Sequence, residues 1–524
     1  MTDFVNEPFA NFADRAQRER FVNALEAVRR TLGGRHPLLL GGQDVQTGRW
    51  LRSENPARPE QIIGEVAQAG SAEAARAVDV AAKAQARWAA TPVEERVALL
   101  RRAAGFLRAR RDWFAALEVF EVGKSWREAD ADVVEAIDYL NYYSLNMLQL
   151  AGGKPLAQRP GEANRYLYAP RGVSVVIAPW NFPLAILAGM SSAALAAGNP
   201  VILKPAEQSP VIACHFTKLL HEAGVPVDVA QYLPGLGADA GQALVAHPQV
   251  RVILFTGSKA VGLGILKAAS EVAPGERFIK QVIVEMGGKN ALIVDEDADL
   301  DAAVGGILTS AFSYQGQKCS AASRLIAHRA VYPRLLERLA AALDRLVVGD
   351  PVSPGCDLGP LIDPDAVKRV SEAIVSGSRA ATLAYRYPDS RLPATGYFVG
   401  PVLFTGVKPD SPLAQDELFG PVLCGFQVES FAEAIALAND SAYGLTGGVY
   451  SRSPSHIQQA VERLEVGNLY INRPITGAIV GRQPFGGIKL SGLGTKAGGP
   501  DYLLSLLWPK TVCENTARHG MPLE

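Results

Sequence analysis

Two residues of complementary chemistry stand out in this chain of 524 residues. Cys319 lies in Gln315-Gly-Gln-Lys-Cys-Ser320, between a lysine and a serine. Glu285 closes an apolar run ahead of two glycines in Val284-Glu-Met-Gly-Gly-Lys-Asn290. A neighbouring ammonium, or the field of a helix N-terminus, draws a thiol down from its free pKa of about 8.5, so Cys319 reads as a nucleophile. A carboxylate at a strand end is placed to take a proton from water, so Glu285 reads as a general base. Each has a plain alternative, an inert buried thiol and a solvated strand end. Phe255-Thr-Gly-Ser-Lys-Ala-Val-Gly262 joins a β-type run to a helix. There Gly257 allows a close turn, and N–H groups at the helix start favour a pyrophosphate, although an ordinary strand-to-helix turn has the same outline. Glu207 in Lys204-Pro-Ala-Glu207 is placed to accept from a ribose hydroxyl, with Lys204 donating to the same sugar. Gly235-Leu-Gly-Ala-Asp-Ala240 half matches a dinucleotide loop and reads as a structural turn.

The elements that must position these residues are α/β in character. Alanine-rich Ser71 to Ala90 reads as a helix, and Thr91-Pro-Val-Glu94 as the cap of the next, so the first 150 residues are expected to be mainly helical. After Gly152, β-type runs alternate with helical segments: Gly172 to Ala178, Pro200 to Leu203 before Val211 to Ala223, Val250 to Phe255 before Ser258 to Ala269, then Gln281 to Val284 and Ala291 to Val294. That alternation is the signature of parallel β-α-β units. A second α/β stretch runs from about Asp297 to Tyr470, ahead of a glycine-rich tail.

Composition narrows the classes. With 48% hydrophobic and 20% charged residues the chain is an ordinary globular one, long enough for two or three domains. Its 52 Lys+Arg against 53 Asp+Glu supply no basic field for nucleic acid or an anionic membrane. The apolar window Leu184 to Leu203 is broken by serines, Gly198, Asn199 and Pro200 and reads as a buried helix and strand, not a membrane span. The 5 cysteines and 7 histidines are scattered without metal-ligand spacing, and no G-x-S-x-G elbow is present, so neither a metal site nor a serine hydrolase is expected. An acidic, polar start and unpaired cysteines point to a cytoplasmic protein.

Taken as an ordered set, Pro179-Trp-Asn-Phe-Pro183, Lys204-Pro-Ala-Glu207, Phe255-Thr-Gly-Ser258 with Gly262, Glu285-Met-Gly-Gly288, Gly316-Gln-Lys-Cys319, Glu417-Leu-Phe-Gly-Pro421 and Pro484-Phe-Gly-Gly487 resemble the NAD(P)-dependent aldehyde dehydrogenases over roughly residues 40 to 515. Glu7-Pro-Phe-Ala-Asn-Phe-Ala-Asp14, Phe312 to Arg324 and Thr476-Gly-Ala-Ile-Val-Gly481 are similar to one branch, the 1-pyrroline-5-carboxylate (glutamate-semialdehyde) dehydrogenases. The resemblance implies oxidation of L-glutamate 5-semialdehyde to L-glutamate, the second step of proline catabolism, by a monofunctional enzyme. Cys319 would add to the aldehyde, with Asn181 and the Cys319 N–H holding the oxyanion, and Glu285 would activate the water that hydrolyses the thioester. For the cofactor it implies Lys204 and Glu207 at the adenosine ribose, Gly257, Ser258 and Gly262 at the pyrophosphate turn, and Glu417 and Phe419 at the nicotinamide end. Because Glu207 repels a 2′-phosphate, NAD is expected over NADP.

A substrate with an α-carboxylate needs anion donors at a fixed distance from the thiol. Gly477 and Ala478, in a turn closed by Gly481, are suited to present consecutive N–H groups, and Ser320 adds a hydroxyl. Phe182 and Phe485 would flank the aliphatic chain, with Glu135 lining the site. The implied architecture is a Rossmann-like cofactor domain (1–151 and 171–284), an α/β catalytic domain (285–483), and a β-flap with the tail (152–170 and 484–524), its C-terminal strand near Tyr502 to Trp508. Exposed flap edges would pair with a second subunit, giving a homodimer or an assembly of dimers, and a proline dehydrogenase is a possible partner. The alternatives are an aldehyde dehydrogenase of another specificity, such as one for succinate semialdehyde, and a catalytically idle structural relative.

Overall fold

The computed structural model describes residues 4–517. Two large sheets organise the chain. The first has eight strands, in the order Gly492–Leu493, Gln281–Glu285, Val252–Thr256, Ser174–Ile177, Val201–Lys204, Ala230–Tyr232, Leu38–Leu40 and Gln43–Val45. From Gln281–Glu285 to Ala230–Tyr232 the neighbours are parallel. These central strands read as nearly unbroken apolar runs because helices cover both faces: Val175, Val176, Ile202, Leu203, Ile253 and Leu254 have no exposed surface. Strand order reverses between Ser174–Ile177 and Val252–Thr256, the doubly wound arrangement, and a crevice opens beyond the carboxyl ends of strands at such a switch point.

The second sheet has seven strands, in the order Thr382–Arg386, Val402–Thr405, Val422–Val428, Ala322–His328, Asn290–Val294, Thr446–Tyr450 and Asn468–Ile471, parallel apart from the first. The chain passes from the end of Gln281–Glu285 in one sheet to the start of Asn290–Val294 in the other through Met286–Lys289. Glu285 is therefore placed at the seam. Cys319 stands in the turn that feeds Ala322–His328, at the same end of the second sheet.

Several expectations shift by small distances with clear causes. The helix expected from Thr91 runs Val93–Ala109, and the Thr91 hydroxyl donates back to the Arg87 carbonyl at 3.1 Å, closing the preceding helix instead of capping the next. A three-stranded sheet of Gly34–His36, Arg58–Ala67 and Trp50–Asn55 lies within the region expected to be mainly helical. The apolar run Tyr502–Leu506 is a short 3-10 helix, not a strand. Tyr502, Leu503 and Leu506 are buried in the core, with Tyr502 stacked on Tyr143. The flap strand begins after it, as Leu507–Asn515 pairs antiparallel with Glu162–Pro170 in a two-stranded ribbon. Gly492–Leu493, within the segment expected to belong with the flap and tail, instead pairs with Val284 and Glu285 at the edge of the eight-stranded sheet. Among the described residues no helix is long and apolar enough to cross a membrane.

Candidate active site

At the switch point lies a cleft of about 990 Å³, walled by the segment Ile177 to Asn181, by Lys204 and Glu207, by Gly257 and Ser258, and by Cys319, Glu417 and Phe419. At one end, Lys204 Nζ is 3.7 Å from Glu207 Oε1, and burial draws the Lys204 ammonium below its ordinary range. Glu207 also accepts from the Gly237 N–H at 2.7 Å. Gly237 and Ala238 are part of the cleft wall, so the stretch from Gly235 to Ala240, read from sequence as a structural turn, borders the ligand space and braces Glu207. Ser258 caps the helix Lys259–Ser270, accepting from Val261 N–H at 3.4 Å. A Cβ on Gly257 would come within 2.6 Å of the Phe255 ring, so glycine is required where the chain turns into that helix. Gly262 is off the cleft wall. It is buried on the inner face of the helix, where a Cβ would meet Met286 Sδ at 2.6 Å, and its absence of a side chain serves packing.

At the other end, Glu417 Oε1 accepts from Gly288 N–H at 2.9 Å, and a Cβ on Gly287 would overlap the same carboxylate. Burial pushes the Glu417 carboxyl up to about 7, against the pull of Gly288 N–H and of Lys289, Arg369 and Lys259. Phe419 has φ +54°, and its ring stands edge-on to Trp180 at 5.5 Å.

The turn that carries Cys319 is built by buried polar side chains. Tyr314 and Gln315 have positive φ in the 3-10 segment Ser313–Gly316, held by Tyr314 Oη donating to Val122 C=O at 2.8 Å and Gln315 Nε2 donating to Pro360 C=O at 2.7 Å. Asn290 Nδ2 donates to the carbonyls of Cys319 at 2.7 Å and Ala321 at 2.9 Å. Asn290 ends the Val284-to-Asn290 segment, where sequence alone assigns it no role. Asn181 is buried, and its Nδ2 donates to Gln317 C=O at 3.0 Å; among the described residues this is the amide's one hydrogen bond.

The ionisation of Cys319 reverses the expectation from sequence. Burial pushes the thiol up to about 12, and Glu417 and Glu285 add to the shift, with only the Ser320 N–H drawing it down among the main local effects. Lys318, expected to lower it, turns away: its Nζ lies 2.7 Å from Glu128 Oε2 and 3.1 Å from Ser313 Oγ. Nor is Cys319 at a helix N-terminus, because it sits in a turn before a strand. Glu285 is half-buried at the end of its strand. Burial pushes its carboxyl up to about 8, while the Gly487 N–H, 3.4 Å from Oε2, and the Lys496 ammonium pull it down.

None of Ser320, Gly477, Ala478, Phe182, Phe485 and Glu135, the residues expected around the substrate, lines this cleft, whereas Cys319 does. Ser320 is buried next to the thiol. Gly477 is exposed with φ +74°, and a Cβ there would meet nothing within 4 Å, leaving its backbone accessible. Ala478 follows it, and Gly481, φ +75°, closes the turn against Tyr142 and Phe4. The Phe182 ring lies under Lys124 Nζ at 4.3 Å, and Phe485 pairs with Ala497 in an antiparallel bridge. Burial, with Asp132 adding, pushes Glu135 up to about 8, and its field reaches the Cys319 thiol.

A thiol and an amide donor on the wall of a cleft of about 990 Å³, with the Glu285 carboxylate one residue before Met286 of the same wall, suit a covalent aldehyde oxidation. The aldehyde dehydrogenase family model matches residues 43–512. This chain belongs to the aldehyde dehydrogenase family. Within the family it is 45% identical over 513 residues to a 1-pyrroline-5-carboxylate dehydrogenase of Bacillus pumilus, covering 98% of this chain and 99% of that one. A 1-pyrroline-5-carboxylate dehydrogenase of Geobacillus thermodenitrificans is 46% identical with the same coverage. Among solved structures, a Thermus 1-pyrroline-5-carboxylate dehydrogenase with bound NAD superposes with TM-score 0.95 at 46% identity, covering 98% of this chain and 99% of that one. Proline utilization A of Bdellovibrio bacteriovorus superposes with TM-score 0.97 at 44% identity, and there the whole of this chain spans 54% of the longer protein.

Proposed function

We propose that the protein oxidises L-glutamate 5-semialdehyde, the open form of 1-pyrroline-5-carboxylate, to L-glutamate with NAD. The observation that carries this reading is the position of Cys319, on the wall of the cofactor cleft and next in the chain to the Ser320 side of the site. The residues fit a dinucleotide: a crevice at the switch point, a glycine turn that admits no Cβ, and the Lys204–Glu207 pair for a ribose diol. NAD, when bound, supplies the hydride acceptor. Glu207 favours it over NADP, because its carboxylate repels a 2′-phosphate.

Cys319 attacks the aldehyde carbon as the thiolate; burial holds the thiol proton tightly, and that proton passes to solvent through the cleft before the S–C bond forms. The Asn181 amide and the Cys319 N–H receive the oxyanion of the thiohemiacetal. After oxidation to the thioester, Glu285 takes a proton from water as the water oxygen bonds to the acyl carbon, and the C–S bond breaks to return the thiolate and release glutamate. Gly477 and Ala478 N–H groups and the Ser320 hydroxyl anchor the α-carboxylate, Phe182 and Phe485 flank the carbon chain, and Glu135 lines the site.

We assign 1–151 and 171–284 to the cofactor domain, 285–483 to the catalytic domain, and the ribbon of Glu162–Pro170 and Leu507–Asn515 to oligomerisation. Its open edges support a homodimer or an assembly of dimers in the cytoplasm, with a proline dehydrogenase as a possible partner; sedimentation as a monomer would overturn the dimer. The activity is tested by NADH formation from equilibrated 1-pyrroline-5-carboxylate, beside succinate semialdehyde, propanal and Cys319→Ala. Turnover of the first substrate, lost in the variant, is expected. Turnover confined to the other aldehydes would discard the carboxylate anchor, and silence on all would leave an idle relative.

A further inference from the structure

The Glu285 carboxylate rests in a seat lined by glycines. It accepts from Gly487 N–H at 3.4 Å, and a Cβ would lie 3.0 Å from Oε1 if placed on Gly486 and 3.2 Å from Oε2 if placed on Gly492. Larger residues there would crowd the carboxylate. The Gly486–Gly487 backbone belongs to neither large sheet, and the Lys496 ammonium helps to fasten it. Lys496 Nζ donates to Gly486 C=O at 2.7 Å, to Gly467 C=O at 2.6 Å and to Asn468 Oδ1 at 3.0 Å. An ammonium has three donors, so this geometry uses all of them. Asn468 opens the edge strand of the seven-stranded sheet, whereas Glu285 ends a strand of the eight-stranded one. Lys496 therefore ties the base's seat across the seam between the sheets. Asn468 supports the same loop, donating to Pro484 C=O at 2.9 Å and accepting from Gly486 N–H at 3.3 Å.

We propose that Lys496 is a positioning residue for the general base: its ammonium pins the Gly486–Gly487 backbone as the seat of the Glu285 carboxylate and sets a positive charge behind it. This rests on the hydrolytic reading above, in which Glu285 takes the proton of the attacking water. The ionisable groups whose fields couple to Glu285 are the Cys319 thiol, the Tyr502 hydroxyl and the Lys496 ammonium. The thiol and the hydroxyl are neutral or negative, so the lysine is the group that favours the carboxylate. Without it the base loses both the fixed N–H that orients it and the charge that holds down the rise burial imposes on its carboxyl.

The test compares Lys496→Met, Lys496→Gln and Lys496→Arg in the full chain, following the NADH burst by stopped flow and the acyl-enzyme by quenched intact-mass spectrometry from pH 6 to 10. For Lys496→Met the burst is expected to stay within about threefold of wild type, while thioester hydrolysis at pH 7 falls about tenfold or more and its rising limb moves up by about one pH unit. Lys496→Arg restores the limb; Lys496→Gln, which keeps donors without charge, does not. An unchanged limb and hydrolysis rate in Lys496→Met would overturn the proposal, as would equal losses of burst and hydrolysis, which mark a merely structural role. Should the methionine variant fail to fold, the glutamine and arginine variants decide, and coincident limbs in those two would overturn it. Failure of the wild-type protein to form an acyl-enzyme on quenching would instead remove the hydrolytic reading on which the proposal stands.

Discussion

Glu285→Gln separates the two halves of the reaction, and the size of its effect follows from the carboxyl being pushed up to about 8 by burial. A base with that pKa is ionised to roughly one part in eleven at pH 7 and ten in eleven at pH 9. Thioester hydrolysis by the wild-type protein should therefore rise about tenfold between those values and level off above them. In the glutamine variant that limb disappears, hydrolysis falls by about 10²–10⁴, and acyl-enzyme accumulates after a normal NADH burst. The same charge also acts on the nucleophile, since Glu285 raises the Cys319 thiol pKa only when ionised. Alkylation of Cys319 by iodoacetamide should then be nearly equal in both proteins below pH 7 and faster in the variant above pH 9. Stopped-flow NADH, quenched mass spectrometry and alkylation rates across pH 6 to 10 measure all three quantities. A limb that persists in Glu285→Gln with its midpoint unmoved would place the base elsewhere. A wild-type midpoint below pH 6 would refute the argument from burial.

Three further outcomes are expected. Lys124 lies 3.0 Å from Glu118 and against Asp132, all without exposed surface, so Lys124→Met leaves buried carboxylates unpaired and costs about 3–5 kcal/mol in denaturant unfolding; a loss below 1 kcal/mol would mean that the carboxylates neutralise each other by sharing protons. Glu207→Ser removes a repulsion of about 1–2 kcal/mol at the dielectric of a partly exposed site, so kcat/KM with NADP rises about tenfold while that with NAD falls; an unchanged NADP value would free Glu207 from cofactor choice. Gly477→Val forces a β-branched residue into φ +74° and disturbs the N–H pair that follows, so KM for glutamate semialdehyde rises about tenfold while propanal oxidation is unchanged; equal effects on both substrates would refute the anchor.

Much of the site was legible before any coordinates because its chemistry is carried in short segments. A strand ending in Glu285, a turn ending in Cys319, the Trp180-Asn181-Phe182 block and the Lys204-to-Glu207 step each hold their functional group within a few residues of an element end. Glycine positions carry geometry in the same local way, as Gly257 does where a Cβ would strike the Phe255 ring. Apolar runs bounded by turn residues likewise located five of the parallel strands, whose ends differ by only a residue or two from those expected. The pattern faltered where apolarity does not decide secondary structure. Tyr502–Leu506 is as apolar as a strand, yet its side chains anchor a 3-10 turn in the core.

What the sequence by itself determined is therefore the cast of groups, their order and the fold that carries them, because local spacing and burial patterns specify elements and the ends at which chemistry sits. Only the tertiary structure decided how those groups ionise and which way they face. Lys318 is adjacent to Cys319 in the chain, yet it serves Glu128, while Glu285 and Glu417, distant in sequence, set the charge around the thiol. Gly262 packs against Met286, the loop at Gly237 braces Glu207, and Lys496 fastens the Gly486 backbone beside Glu285. Desolvation and electrostatic fields sum over everything nearby in space, and neighbourhood in space is created only when the two sheets close on one another.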